Sequence, residues 1–495
     1  MMLSDDKNSG QAGFELKKGC GGGKDYCLSM TRSVCHICEN FVNAKIVSDG
    51  KSVFLRKLCP SHHCEDVMIA ADLKWYLSAV NSPQLSGSAR GSVRAIDKGC
   101  PHDCGICAWH ENSCVIPVFS VTNSCDMNCP ICFTYNRSDK MYFMSRAEMK
   151  GTIDGLIEKF EKLDLVNITG GEPMSHPDIF AIIEEAKRPE IGRITINSNG
   201  SRIARDEEFA AGLARQGVYV ILSFDTFDPE TSKKIHGADI VELKLKALAN
   251  LEKYNIPTTI LNVAIKGVND CEIGEFVKLA MSKDFIRSLT IQNMTYTGFG
   301  GRSFEPGGHI TIDEVIGEIA KSGLGIGFED FRPHPRSHPL CYSTCYVIRD
   351  AEGGSGLFSM AALATGDEYA KLLSAGYLLR PDDELYETVK AIIERNWLER
   401  KNENASKVLK NLIRKIFPPG AAMDAFQRQK IAEKHIKSIY IHSHMDAYNY
   451  DAARIVRCGD LVPQTDGRYI PACSYNMFYR KYDERFWSEE PEAVK

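Results

Sequence analysis

No uninterrupted apolar run in this chain reaches the length that a membrane-spanning helix needs. The opening Met1-Met2-Leu3-Ser4-Asp5-Asp6-Lys7 lacks the basic start and apolar stretch of a secretory signal, so a cytoplasmic location is expected. There is no basic excess either. The formal net charge of -5 argues against nucleic acid as the principal partner, because binders of a polyanion show a positive footprint. What is plentiful is cysteine. The 18 thiols among 495 residues fall in CxxC-like groups, which in a reducing compartment point to metal rather than to disulfides. With 43% hydrophobic residues there is ample material for a soluble core, and the length allows two to four structural units.

The densest group is Cys125-Asp126-Met127-Asn128-Cys129-Pro130-Ile131-Cys132, directly after the apolar run Val115 to Val121. Three thiolates in CxxxCxxC spacing at the end of a strand can hold three irons of a 4Fe-4S cube and leave the fourth open. A structural zinc suits them less well, since it takes four closed ligands. One helix later Leu165 to Ile168 reads as a buried strand running into Thr169-Gly170-Gly171-Glu172-Pro173. Paired glycines let a ligand approach the backbone, and Glu172 offers an acceptor for an ammonium group.

Together these motifs resemble the radical S-adenosylmethionine (SAM) superfamily. The resemblance implies that Cys125, Cys129 and Cys132 bind the catalytic cluster, with Gly170, Gly171, Glu172 and Pro173 beside the cofactor. It implies that the open iron chelates the amino and carboxylate groups of SAM, whose reduction gives a 5′-deoxyadenosyl radical. An electron donor of the ferredoxin or flavodoxin kind and sensitivity to oxygen follow from the same resemblance.

Strand-like segments alternate with helices from about 115 to 305. Ser145 with Glu148 forms a capping-box pattern ahead of Met149, Ile153, Ile157 and Phe160 on one face. Ile194 to Ile196, Val218 to Leu222, Thr258 to Ile265 and Leu289 to Gln292 read as further strands, with polar residues gathered at their C-terminal ends. This is an α/β pattern, and the resemblance narrows it to a partial (β/α)6 barrel. On that basis Ser198, Asn199, Ser223 and Asp225 are candidates for the ribose and methionine groups of SAM; each could equally cap the following helix. The glycines of Thr297-Gly298-Phe299-Gly300-Gly301-Arg302 lack a P-loop ending, so substrate contact is the better reading there.

Three further cysteine groups flank this region. Residues 1–30, rich in glycine, lysine and aspartate, are expected to be a flexible lead-in, with Cys20 and Cys27 as spectators. Residues 31–95 should form a small rubredoxin-like or zinc-ribbon-like module around mononuclear iron or zinc. Its firm ligands are Cys35, Cys38 and Cys59, and His62 and Cys64 compete for the fourth place. In 96–114, Cys100, Cys104, Cys107 and Cys114 could enclose a complete auxiliary cube. In the mixed C-terminal region, 306–495, Cys341, Cys345, Cys458 and Cys473 suggest a second auxiliary cluster or buried thiols. Residues 368 to 440 read as helical. The basic amphipathic segment Ala405 to Phe417 either packs on its own domain, the favoured reading, or contacts a membrane surface peripherally. Cys271 has no partner in the pattern.

These flanking groups, with Asp466-Gly467-Arg468-Tyr469-Ile470-Pro471, resemble the branch containing tetraether and membrane-spanning lipid synthases and class D pterin methylases. His36 stands where that branch usually has proline. The resemblance implies carbon-carbon bond formation, foremost the joining of lipid alkyl chains, with C-methylation of a pterin precursor as the alternative. A reading from a different class is a multi-cluster electron carrier or scaffold without SAM chemistry. GGEP and the barrel argue against it.

Overall fold

A computed structural model describes residues 25–85, 95–134, 140–298, 300–304, 308–349, 357–374 and 376–487. Cys20 and most of the expected lead-in lie outside these. Strand β1 (Tyr26–Val34) already begins inside the segment expected to be flexible. The correction has a packing reason: β1 pairs antiparallel with β2 (Phe41–Ser48), and Leu28 packs on the small core around Ile46, Val53 and Leu55. With β3 (Val53–Cys59) and β4 (His63–Ala70) these form a four-stranded sheet in sequence order, followed by helix α1 (Leu73–Val80).

The principal sheet is built from β5 (Ile116–Thr122), β6 (Val166–Gly170), β7 (Ile194–Ser198), β8 (Tyr219–Ser223), β9 (Thr258–Ala264) and β10 (Ile286–Asn293). All six are parallel and adjacent in chain order, because each crossover runs through helices on the outer face. Those helices are α2 (Arg146–Phe160), α3 (Ile179–Ala186), α4 (Ser201–Arg205), α5 (Glu207–Gln216), α6 (Pro229–His236), α7 (Val241–Lys253) and α8 (Ile273–Ser282). The Ser145–Glu148 capping box is formed, and Met149, Ile153, Leu156 and Phe160 turn inward from α2. They join one large core with Ile168, Ile182, Ile183, Ile196 and Leu213.

Strands β11 (Arg332–Pro333), β12 (Tyr342–Arg349) and β13 (Leu357–Ser359) belong to the C-terminal region. The expected helical reading of 368 to 440 then holds through Gly366–Leu372, Asp383–Leu398, Glu403–Ile416 and Ala425–Ala432, and fails at its end, where Ile436–His442 forms β14. β14 pairs in parallel with β10, and β15 (Asp460–Pro463) pairs in parallel with β5. β16 (Tyr469–Pro471) lies antiparallel to β15. The six expected strands are thus extended by one at each edge, and β12 runs antiparallel outside β14.

This sheet curls back towards itself. Tyr342 on β12 donates its hydroxyl to Asp460 on β15 at 2.5 Å, and His442 Nε2 on β14 lies 3.6 Å from the same carboxylate. Strands at opposite ends of the sheet therefore meet through side chains, closing an axial cavity.

The basic helix Glu403–Ile416 turns Ala405, Leu409, Leu412 and Ile416 into a satellite core with Leu385, Val389 and Ile392. Its apolar stripe is covered by its own domain. Among the described residues no helix is long and apolar enough to cross a membrane.

Ile182→Ala, at a fully buried position of α3, is expected to cost about 2–5 kcal/mol. Anaerobic urea unfolding should show a clearly lower midpoint, while Lys150→Ala on the exposed face of α2 shifts stability by less than about 0.5 kcal/mol.

Candidate functional site

The loop after β5 carries Cys125, Cys129 and Cys132, all half-buried, at the C-terminal mouth of the parallel strands. Its course is set by backbone packing against the end of β6. Gly171 N–H donates to Thr122 O, and Glu172 N–H donates to Ser124 O, each at 2.7 Å. A Cβ on Gly170, whose φ is +149°, would lie 2.1 Å from Thr122 O. One on Gly171 would lie 2.3 Å from Ser124 O. The glycines are therefore required by the close approach of the cysteine loop's own backbone, whereas the sequence suggested approach of a ligand.

Glu172 is correspondingly occupied. It is buried and caps the turn Pro173–Ser175, taking the Met174 N–H at 3.0 Å. The Ser198 hydroxyl reaches it at 2.9 Å and the Asn199 N–H at 2.6 Å. Burial pushes its carboxyl up to about 7 against the pull of these donors. With about four acceptor positions on a carboxylate, three donors leave room for one more. Glu172 mainly ties the β6 loop to the β7 loop, and it retains limited capacity for an ammonium group.

The remaining cofactor candidates are similarly committed. Ser198 also accepts from Gly200 N–H, and Asn199 Oδ1 accepts from Ser201 N–H two residues on, while its amide reaches Asp126 at 2.7 Å. Asp225 is buried, takes the Val263 N–H at 2.7 Å, and has its carboxyl raised to about 6 by burial. Ser223 is half-buried at the end of β8.

Sequence reasoning missed Lys244. It is buried on α7 and donates to Asn199 O at 2.7 Å. Burial lowers its pKa, and Asp225 and Cys129 are the leading charges that oppose the shift. The available signal was its spacing: Val241, Lys244, Ala247, Leu248 and Leu251 form the inward stripe. A buried ammonium beside Cys129 offsets negative charge gathered on the loop.

The second CxxxCxxC lies elsewhere. Cys100, Cys104 and Cys107 are buried, and burial foremost pushes the Cys100 thiol up to about 11 and the Cys104 thiol up to about 12, with the neighbouring Cys107 adding to both. Cys114 sits in the main core, and its charged neighbours are Asp460 and Lys159. Cys104 packs instead in a separate core with Tyr450 and Tyr475.

A comparable split occurs at the C-terminal end. Cys341, Cys458 and Cys473 line one small cavity with His442, His444 and Arg454. Arg454 Nε donates to Cys341 Sγ at 3.4 Å, and His444 Nδ1 lies 3.4 Å from Cys473 Sγ. Cys345 is excluded from this group. It is fully buried on β12 with Asp330 and Arg332 as its charged neighbours, because its side chain points into the core.

In the small module Cys35, Cys38, Cys59 and His62 bring their ligand atoms within 4.8 Å of one another. Three sulfurs and one imidazole nitrogen at that spacing suit a single tetrahedral ion. Burial raises the Cys35 thiol, but the Cys38 and Ile37 amides overcompensate and bring it to about 7. Cys64 is the corrected candidate: it pairs with exposed Leu58 across β3 and β4, on the face opposite to Cys59.

The axial cavity has a volume of about 270 Å³ and runs from Phe133 and Thr134 beside Cys132 to Arg193 and Glu433 at the other end. Strand after strand turns a polar side chain into it, among them Ser120, Asn167, Thr195, Asn197, Thr290 and Gln292.

The profile of the radical SAM superfamily matches residues 119–280, which include Cys125, Cys129 and Cys132 and leave out Cys100, Cys104 and Cys107. A GTP 3′,8-cyclase of Peptoclostridium acidaminophilum is 30% identical over 248 residues, which is 48% of this chain and 71% of that protein. The chain belongs to the radical SAM superfamily. A second match is far longer: a 7,8-dihydro-6-hydroxymethylpterin dimethyltransferase of Methanocaldococcus jannaschii is 26% identical over 486 residues, covering 92% of this chain and 95% of that one. Residues 27–71 match the profile described as the HMPTM N-terminal zinc ribbon domain. Among solved structures, Streptococcus suis SuiB bound to precursor peptide SuiA aligns with 36% of this chain and 39% of its own, at 20% identity and a TM-score of 0.32.

Membership in the radical SAM superfamily implies a 4Fe-4S cluster and SAM. The donor set fits that cluster: three sulfurs on one loop, none committed to a disulfide, with a buried ammonium nearby.

Gly171→Ala should therefore lower the iron retained after anaerobic reconstitution, because Ser124 O must move. Gly151→Ala in α2, where a Cβ meets open space, should leave iron unchanged. Metal analysis should also show that His62→Ala loses the ion of the N-terminal module and that Cys64→Ser keeps it.

Proposed function

We propose that this chain is a radical SAM C-methyltransferase acting on a pterin-type heterocycle. The observation that carries this reading is the likeness, over 92% of the chain, to a protein whose printed name is that of a pterin dimethyltransferase. The axial cavity adds polar side chains, among them Asn167, Thr195, Asn197 and Gln292, within a mostly apolar lining. The joining of lipid chains, foremost in the sequence reading, draws no support from that relative.

In this reading Cys125, Cys129 and Cys132 hold the catalytic cluster. When bound, such a cluster supplies a single electron and a chelation point for SAM. The chain's own residues do the rest. Gly170 and Gly171 hold the cysteine loop against β6, Glu172 locks the β6 and β7 loops together, and Lys244 balances charge beside Cys129. The curled sheet shields the substrate from water and presents polar groups that fix its orientation. Cys100, Cys104 and Cys107, and separately Cys341, Cys458 and Cys473, hold auxiliary iron-sulfur groups. Cys35, Cys38, Cys59 and His62 hold zinc or iron. Reduction by a ferredoxin- or flavodoxin-type donor belongs to the same reading.

Anaerobic incubation with SAM, a strong reductant and 6-hydroxymethyl-7,8-dihydropterin tests it. Release of 5′-deoxyadenosine should rise when the pterin is added, and simultaneous Cys125, Cys129 and Cys132→Ala substitution should abolish it. Release that responds to a long-chain lipid and ignores the pterin would contradict the proposal. Iron content should be unchanged by Cys345→Ser and reduced by Cys458→Ser.

A further inference from the structure

Two charged side chains in the axial cavity are buried with hydrogen-bonding atoms left over. Asp460 is 6% exposed; its Oδ2 takes the Tyr342 hydroxyl, while its Oδ1 is buried without a hydrogen-bond partner. Arg480 is 4% exposed, and its Nε and Nη2 are likewise buried and unpartnered. The guanidinium is held among aromatic rings, 5.9 Å from the Tyr475 centroid and 5.1 Å from that of Phe486. Both residues line the same cavity. Leaving a charged group buried and unsatisfied is costly, so such atoms mark where a ligand completes the structure.

The two groups ask for complementary partners. A carboxylate with an open oxygen accepts from two adjacent N–H groups, the edge that an amidine-like N–C–NH2 unit offers. Nε and Nη2 are the side-by-side donors of a guanidinium fork, which matches two neighbouring acceptors. Arginine uses the same fork on the carbonyl oxygen and ring nitrogen of guanine. A wall of stacked rings adjoins Asp460: the Tyr342 and His442 centroids are 3.9 Å apart with planes 14° apart, and Tyr377 lies 5.1 Å from Tyr342. That wall suits a flat ligand.

We infer that Asp460 and Arg480 are specificity-determining residues that read the two polar edges of a fused 2-amino-4-oxopyrimidine ring. Asp460 takes the N–H and amino edge, and Arg480 donates to the carbonyl oxygen and adjacent ring nitrogen. The inference rests on the pterin reading above and sharpens it, since it names the atoms that distinguish this ring from its look-alikes.

The test is equilibrium binding to the anaerobically reconstituted full chain in the presence of SAM. The ligands are 6-hydroxymethyl-7,8-dihydropterin, its 2-oxo counterpart in which oxygen replaces the amino group, and GTP. Wild-type protein should prefer the pterin over the 2-oxo compound by at least about tenfold, the discrimination expected where a site's buried acceptor is left unpaired. Asp460→Asn, which adds a donor, should reverse that preference, and Arg480→Gln should weaken the pterin by about tenfold or more. Equal wild-type affinity for the pterin and the 2-oxo compound overturns the inference even if neither variant folds. So do unaltered affinities in both variants, and either result leaves the methyltransferase reading standing. Binding of GTP in place of the pterin, with the same dependence on both residues, supports the ring assignment and overturns the proposed substrate.

Discussion

The structure depends on one backbone-to-backbone contact, between Thr122–Ser124 after β5 and Gly170–Glu172 after β6. Only residues without a Cβ allow it, because any side chain at Gly170 or Gly171 would penetrate a carbonyl oxygen. The contact prolongs the parallel pairing beyond the strands proper and aims the cysteine loop over the cavity. Glu172 then fastens the same segment to Ser198 and Asn199, and Lys244 reaches Asn199 from α7. One chain of contacts therefore connects three successive βα units to the three thiols.

The C-terminal region completes the vessel that this loop covers. β14 and β15 extend the sheet at its two edges, and the Tyr342–Asp460 and His442–Asp460 contacts bring those edges together. The loop after β14 also receives the N-terminal module. The His36 ring stacks on Tyr448 at 4.5 Å, and Tyr448 and Cys129 both pack on the small core that holds Ile131 and Tyr296. Tyr448 thus lies between the turn that holds Cys35 and Cys38 and the small core on which the Cys125–Cys132 loop packs.

Strong local signals made much of this legible in the sequence. The strands β5 to β10 are apolar runs between turn residues, and the Ser145–Glu148 box marks the start of α2. Contacts between distant segments were not legible. Ile436-Lys437-Ser438-Ile439-Tyr440-Ile441-His442 carries three isoleucines and a tyrosine, as a strand can, yet it follows the helix ending at Ala432 and was absorbed into the helical pattern. Cys345 looked like a ligand because spacing counts residues and not the direction in which they point. The polar side chains of the cavity were written in alternation, as Asn167 and Thr169 on β6 and Thr195 and Asn197 on β7 show. Their meaning needed the sheet to be curled, since a flat sheet would have sent those groups to solvent.

The central claim is that the loop clasped by Gly170 and Gly171, and not the similar Cys100–Cys107 segment, presents the open iron to SAM. Electron-nuclear double resonance on the reduced, reconstituted chain with SAM labelled at its amino nitrogen and carboxylate oxygen measures this directly. The account predicts hyperfine coupling from both labels, retained when Cys100, Cys104 and Cys107 are replaced by alanine and lost when Cys125, Cys129 and Cys132 are replaced. The opposite dependence, or no coupling in the unaltered protein, would contradict it.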